Sequence, residues 1–257
     1  MRPKLGLSQR LVQLGVLILI LGFWWYSTLP GGINPLLLPA PGPVFRDFWV
    51  LFTTGFTSTS VWPDLWVTVH EWLVAVAIAA IAGCTLGYLI SRSGYAVRVF
   101  DPLLAGIYSI PAILLFPLYL LFFGLGAGSK IAIGTTIAFF PVVLNTIAGL
   151  ANVDKAYIRA AQSMGANDLQ LFWSVMLPAA FPVVLTGLRL GCIIAFLAIL
   201  GGETISSLAG LGHRIVSLAE NMESAQMFAN IVFAVLMAFI INGVVSFAEA
   251  RGRRGFQ

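Results

Sequence analysis

From Leu73 to Ile90 the chain carries no charged side chain. A helix needs ~20 mainly apolar residues to cross the hydrocarbon core of a bilayer. Six stretches of that kind are present, at approximately 11–29, 66–90, 102–123, 130–150, 178–200 and 227–248. The second opens as a mixed segment with His70 and Glu71 before it turns purely apolar. Composition agrees with this reading, at 59% apolar and 9% charged residues, whereas soluble domains carry roughly 25% charged residues. A soluble protein this apolar has too little polar surface to cover itself, whereas lipid accepts apolar side chains directly. The expected fold class is an all-α membrane protein with six transmembrane helices. It makes one transmembrane domain over residues 1–257, without an internal repeat or a soluble domain boundary.

The loops set the expected orientation. An even number of spans puts both termini on one side. Arg2, Lys4, Arg10, Arg92, Arg98, Lys155, Arg159, Arg251, Arg253 and Arg254 fall on that side, and Arg46, Lys130 and Arg214 on the other. This asymmetry of ten to three places both termini in the cytoplasm. The net charge of +4 then reports topology rather than nucleic-acid binding. The first run is too long and too aromatic (Phe23, Trp24, Trp25, Tyr26) for a signal peptide, and reads as a retained helix. On the outer side, LPGGINPLLLPAPGP cannot be helical throughout. VFRDFWVLFTTG suits a short surface helix. The 201–226 connection carries Glu203, Glu220 and Glu223 among Gly201, Gly202, Gly210 and Gly212. Cys84 and Cys192 sit alone inside apolar runs and read as packing residues.

The cytoplasmic loop 153–177 has a specific grammar. Asp154 can cap a helix from about Lys155 to Met164, and Gly165 can end it in the left-handed conformation. Asn167 can cap a second short helix, with Asp168 in its first turn. Leu177-Pro178 then breaks or bends the chain as it enters the fifth span. Ala160, Ala161, Met164 and Gly165 form a small-residue surface. It suits docking into a groove of a soluble partner, or equally a helix resting on lipid headgroups.

The order Ala160-Ala161, Gly165, Val175, Leu177-Pro178 resembles the "EAA" loop of ABC importer permeases. Arg159 stands where that family has glutamate. LLPAPGPVF, SRSGYAVRVFDPLL, YSIPAILLFPLYLLFFGLGAGSK, FFPVVLNTIAGL, TGLRLG and the Glu203 to Gly210-Leu211-Gly212 spacing resemble the nitrate, sulfonate, taurine and bicarbonate subgroup. The resemblance implies a type I importer permease fold in a bacterial inner membrane. It also implies a homodimer of this chain, two ATP-binding subunits docked on the loops, and an extracytoplasmic substrate-binding protein. ATP and magnesium then belong to the partner subunits, and no cofactor to this chain. Arg159, Ala160, Ala161, Met164, Gly165, Asp168, Leu177 and Pro178 are the expected coupling residues. The cargo implied is a small organic or inorganic anion. Ile194 and Phe196 replace an aromatic and basic pair usual after TGLRL, which keeps a non-anionic aromatic or heterocyclic nutrient open.

The third to fifth spans are expected to line the path, with Tyr108, Ser109, Pro111, Asn145, Arg189 and Glu203 as its candidates. Prolines 111, 117, 141, 178 and 182 either shape a wet cavity or are ordinary kinks. Arg189, a charge at membrane depth, contacts an anion or pairs with an acid or helix carbonyls. Glu203 sits where the fifth span emerges, as a contact for the binding protein, a partner for an arginine, or a solvated acid. His70 and His213 lack ligand-like companions and read as structural. No P-loop, H-E-x-x-H or G-x-S-x-G occurs, so the chain is not expected to be an enzyme. FGLGAGS follows no strand of a βαβ unit. A membrane enzyme would need clustered acids or a metal site. A stand-alone secondary transporter would show inverted repeats and intramembrane relays.

Overall fold

A computed structural model describes residues 7–53 and 60–254. The expectations for Arg2, Lys4 and the Thr54-Gly55 end of the surface helix lie outside the described residues. Those residues form α1 Leu7–Ser27, α2 Pro41–Thr53, α3 Trp62–Ser91, α4 Gly94–Tyr108, α5 Phe116–Phe123, α6 Ala127–Ala151, α7 Lys155–Ser163, α8 Asp168–Leu171, α9 Leu177–Ile205, α10 Leu211–Glu220 and α11 Ser224–Arg254.

Trp62–Ser91, Ala127–Ala151, Asp168–Ile205 and Ser224–Gly252 are each long and apolar enough to cross a membrane. A fifth such stretch is broken, with Gly94–Tyr108 and Ala112–Phe123 meeting at a 75° bend. α1 carries a further apolar stretch, Leu11–Ser27. Among the described residues, length and apolarity thus mark four unbroken spans and one broken one, and α1 is a further apolar helix where the first of the six expected spans lies.

The third span starts earlier than expected because Ser93 caps α4, its hydroxyl accepting from the Ala96 N–H. Pro102 is accommodated inside α4. The break comes at Pro111, which has no N–H to donate and disfavours helical backbone in the residue before it. A 3-10 turn, Ala112–Leu115, follows, and Pro117 lies in the first turn of α5, where a missing N–H costs nothing. Pro178 is expected to break or bend the chain. The chain does not break there, because a π-helical turn at Phe172–Met176 joins α8 to α9. The wider turn lets Leu177 N–H bond the Phe172 carbonyl and sets Pro178 in the first turn of α9.

The chain forms two compact units. Residues 1–62 with 214–234 make the first, and 63–213 with 235–257 the second. In the first, the Trp24 indole donates to the Pro39 carbonyl at 3.0 Å. The Ser224 hydroxyl donates to the Leu36 carbonyl. Phe52 packs edge-on against Phe48, Trp62 and Phe233.

The second unit is built around α6, which packs most extensively on α9. Glycines let the backbones approach. A Cβ on Gly187 of α9 would lie 2.6 Å from Asn145 Cβ and 2.8 Å from the Pro141 carbonyl oxygen of α6. One on Gly191 would meet Val142 and Ala138, and on α3 Gly83 and Gly87 lie against Val142 and Thr146. Two small-x-x-x-small stripes thus clamp α6 between α3 and α9. Without a hydrophobic drive between lipid-soluble helices, such close packing is the main source of cohesion. Ala79, Ala138 and Ala195 meet at the crossing. Ile90, Leu104, Val143 and Ile147 fill the space towards α4.

Candidate functional site

The first site is the α7–α8 turn. The Asp154 carboxylate accepts from Ala156 N–H at 2.8 Å, which starts α7. The helix ends on Gly165 at φ +82°, as the loop grammar required. The Gly165 N–H bonds the Gln162 carbonyl and the Ala166 N–H bonds the Ala161 carbonyl, which satisfies the last carbonyls in a Schellman motif. Asn167 and Gln170 exchange side-chain-to-backbone bonds in a capping box, with exposed Asp168 in the first turn of α8. Leu177 and Pro178 sit half-buried at the start of α9.

The small-residue surface is not as expected. Arg159, Ala160, Met164 and Gly165 are exposed, but Ala161 is buried, one turn on from the inward-packed Ile158. Ile158 packs on Leu150, Val153, Ala180 and Val184, which fixes α7 against the ends of α6 and α9. Of the apolar groups beside this turn, sequence reasoning named Met164 and missed Tyr157, Leu169 and Trp173. Tyr157, Met164, Leu169 and Trp173 are 63%, 81%, 68% and 60% exposed.

The second site is a buried polar knot, and Glu203 is its centre. Glu203 is only 1% exposed, so it is not a solvated acid at the end of a span. Its carboxylate accepts from the Thr68 hydroxyl at 2.7 Å and from the Gly212 N–H at 2.8 Å. The next two donors upstream are taken by α3. The Leu211 N–H bonds the Thr68 hydroxyl at 3.0 Å and the Gly210 N–H bonds the Asp64 carboxylate at 3.2 Å. Three successive N–H groups at the start of α10 are thereby bound. Gly210 adopts φ +106°, and a Cβ on Gly212 would lie 2.5 Å from the Leu200 carbonyl oxygen. The Gly-Leu-Gly spacing after Glu203 follows from this fit.

Lys130, counted above as a loop charge, is also buried in the second unit, at 1% exposure. Its ammonium donates to the carbonyls of Leu125 and Gly126, between α5 and α6.

The expected path residues divide among separate places. Asn145 lies in the α6–α9 seam, donating to the Pro141 carbonyl at 2.7 Å. Arg189 donates to Glu249 at 3.1 Å and to Asn242 at 3.2 Å, both on α11. Thr186 also donates to Glu249. Only Tyr108, Ser109 and Pro111 come together, in the wall of a cavity at the break between α4 and α5. Among the described residues no three His, Cys, Asp or Glu side chains converge as metal ligands.

Comparison with known proteins agrees with this architecture. Residues 75–254 match the family described as the binding-protein-dependent transport system inner membrane component. The chain is 30% identical to the taurine transport system permease protein of Escherichia coli, over 90% of this chain and 84% of that protein. It is 27% identical to the putative aliphatic sulfonates transport permease protein of the same organism, over 85% and 81% of the two chains. It is 28% identical to the formylaminopyrimidine transport permease protein of Halalkalibacterium halodurans, over 91% and 89%. Among solved structures, a chain of the inward-facing methionine ABC transporter MetNI superposes with a TM-score of 0.61 at 22% identity. That match covers 75% of this chain and 94% of the other. The chain is therefore an ABC-transporter permease with the type I importer fold, a member of the binding-protein-dependent inner membrane component family.

Proposed function

We propose that two copies of this chain form the membrane pathway of an ATP-driven importer, with both termini in the cytoplasm. ATP-binding subunits dock on the α7–α8 turn, and an extracytoplasmic binding protein delivers the solute. The observation that carries the reading is the rigidly capped turn with Tyr157, Met164 and Leu169 exposed beside it. Apolar side chains held out on a closed, hydrogen-bonded turn suit a groove on a protein better than a mobile loop would. Closure of the ATPase dimer would pull both turns together. Because α8 continues into α9, that pull would tilt the fifth span and open the path alternately to each side. ATP biases this equilibrium only through its different affinity for the two states. The chain supplies no catalytic group, and hydrolysis belongs to the partner subunits with their ATP and magnesium.

Exposed Met164 tests the docking role better than buried Ala161. Met164→Glu should insert normally, lose the co-purifying ATPase subunit and abolish uptake. Retention of stoichiometric ATPase and normal uptake in this variant would remove the docking role. For the cargo, the taurine and sulfonate relatives favour a small organic anion. A second reading, an aromatic or heterocyclic nutrient, is favoured by the cavity beside Tyr108.

A further inference from the structure

The cavity at the break of the third span has a volume of about 360 Å3, within the ~300–1,000 Å3 range of small-molecule pockets. One wall comes from the break itself, with Tyr108, Ser109, Pro111 and Ala112, and the other from α6, with Thr136 and Phe140. The rings of Tyr108 and Phe140 stack with centroids 5.6 Å apart and planes 29° from parallel. The 75° bend opens this space, since an unbroken helix would carry side chains of the next turn into it.

The polar groups decide which ligand fits. No charged side chain lines the cavity. The Ser109 hydroxyl gives its proton to the Gly106 carbonyl at 2.6 Å. The Thr136 hydroxyl gives its proton to the Ala132 carbonyl at 2.9 Å and accepts from Tyr119. A desolvated oxyanion needs a cation or several free donors. Both of these hydroxyls have spent theirs, and Arg189 is engaged by Glu249 and Asn242. What remains is apolar surface, an aromatic stack, hydroxyl lone pairs and the single phenol O–H of Tyr108, too few donors for an oxyanion.

We propose that this cavity receives a planar aromatic or heteroaromatic ring of the transported solute, packed against the joint face of the stacked Tyr108 and Phe140 rings. The inference rests on the chain being a pathway subunit, and it deepens that reading by naming the part of the cargo that the membrane subunit itself recognises. Any acidic group on the cargo stays outside the cavity. An aromatic pair contributes beyond buried area when rings lie at such distances, enough for about a three- to tenfold preference.

The test uses the purified membrane complex of this chain with its ATPase subunits in nanodiscs, without the binding protein. Saturation-transfer NMR is recorded with benzenesulfonate, cyclohexanesulfonate and methanesulfonate, which share a head group and differ in the ring. Benzenesulfonate should bind at least about threefold more tightly than cyclohexanesulfonate, and methanesulfonate should give no transfer. Tyr108→Leu should erase the aromatic preference, and Ala112→Phe, which fills the cavity, should remove benzenesulfonate binding. Tyr108→Phe should retain it. Equal binding of the three sulfonates, or an aromatic preference that survives both Tyr108→Leu and Ala112→Phe, would overturn the proposal. Failure of the ATPase to co-purify with this chain would instead defeat the pathway reading on which it rests.

Discussion

Glu203 shows how one carboxylate can organise the junction of three helices. It satisfies a buried hydroxyl of α3 and a buried N–H of α10 from its place near the end of α9. Glu203→Leu would strand both donors, at about 1–3 kcal/mol each. The purified complex should melt several degrees lower than wild type, and Glu203→Gln, which keeps an acceptor, should fall less. An unchanged melting temperature for Glu203→Leu would show that the knot contributes nothing. The Arg189–Glu249 pair obeys a related logic. Its two side chains are 28% and 10% exposed. Removing either partner leaves the other charge poorly compensated. Arg189→Met and Glu249→Met should each destabilise, and the double variant should lose less than the sum, by about 0.5–3 kcal/mol in a thermodynamic cycle. Strict additivity would mean that the pair is incidental.

At the scale of elements, the glycine stripes of α3 and α9 set how close α6 can come. Gly187→Leu would drive a side chain into Asn145 and the Pro141 carbonyl, so the variant should aggregate on extraction. Gly15→Leu on α1, where nothing lies within 4 Å, should remain monodisperse. If both variants behave alike, close approach is not what holds the seam.

Much of this level was legible beforehand. The caps at Asp154, Gly165 and Asn167 are local chemistry, settled by residues within a turn of one another, and the structure forms all three. The spacings Gly83-x-x-x-Gly87 and Gly187-x-x-x-Gly191 were equally readable as packing stripes, although sequence reasoning passed over them. What could not be read was which face of α7 is buried, because that depends on Ile158 meeting α6 and α9. Nor could the π turn at Phe172–Met176 be foreseen. A proline signals a break, and only the surrounding helix decides whether a wider turn absorbs it instead. Lys130 and Glu203 looked like loop charges because their partners, Leu125, Gly126, Thr68 and Gly212, are brought to them by the fold.

For the whole molecule, the surface is the dominant fact. Large apolar side chains such as Leu121, Phe122 and Phe239 are about 70–80% exposed, as befits a chain bathed in lipid. The loop charges predict which compartment each end meets. In a variant lacking Cys84 and Cys192, a cysteine replacing exposed Met164 should react with a membrane-impermeant maleimide only after the cells are permeabilised. Labelling of intact spheroplasts would invert the assigned topology and place the α7–α8 turn out of reach of any cytoplasmic ATPase.

The uninterrupted course of the chain from Asp168 to Ile205 has a mechanical corollary. Its 38 residues, at a rise of ~1.5 Å each, make a shaft of roughly 57 Å. A 5° swing about the midpoint carries each tip through roughly 2.5 Å, comparable to a hydrogen-bond length. Any torque applied at Asp168 therefore arrives at Glu203 without passing through a flexible joint, in a grip whose bonds are short enough to be made or broken by that displacement.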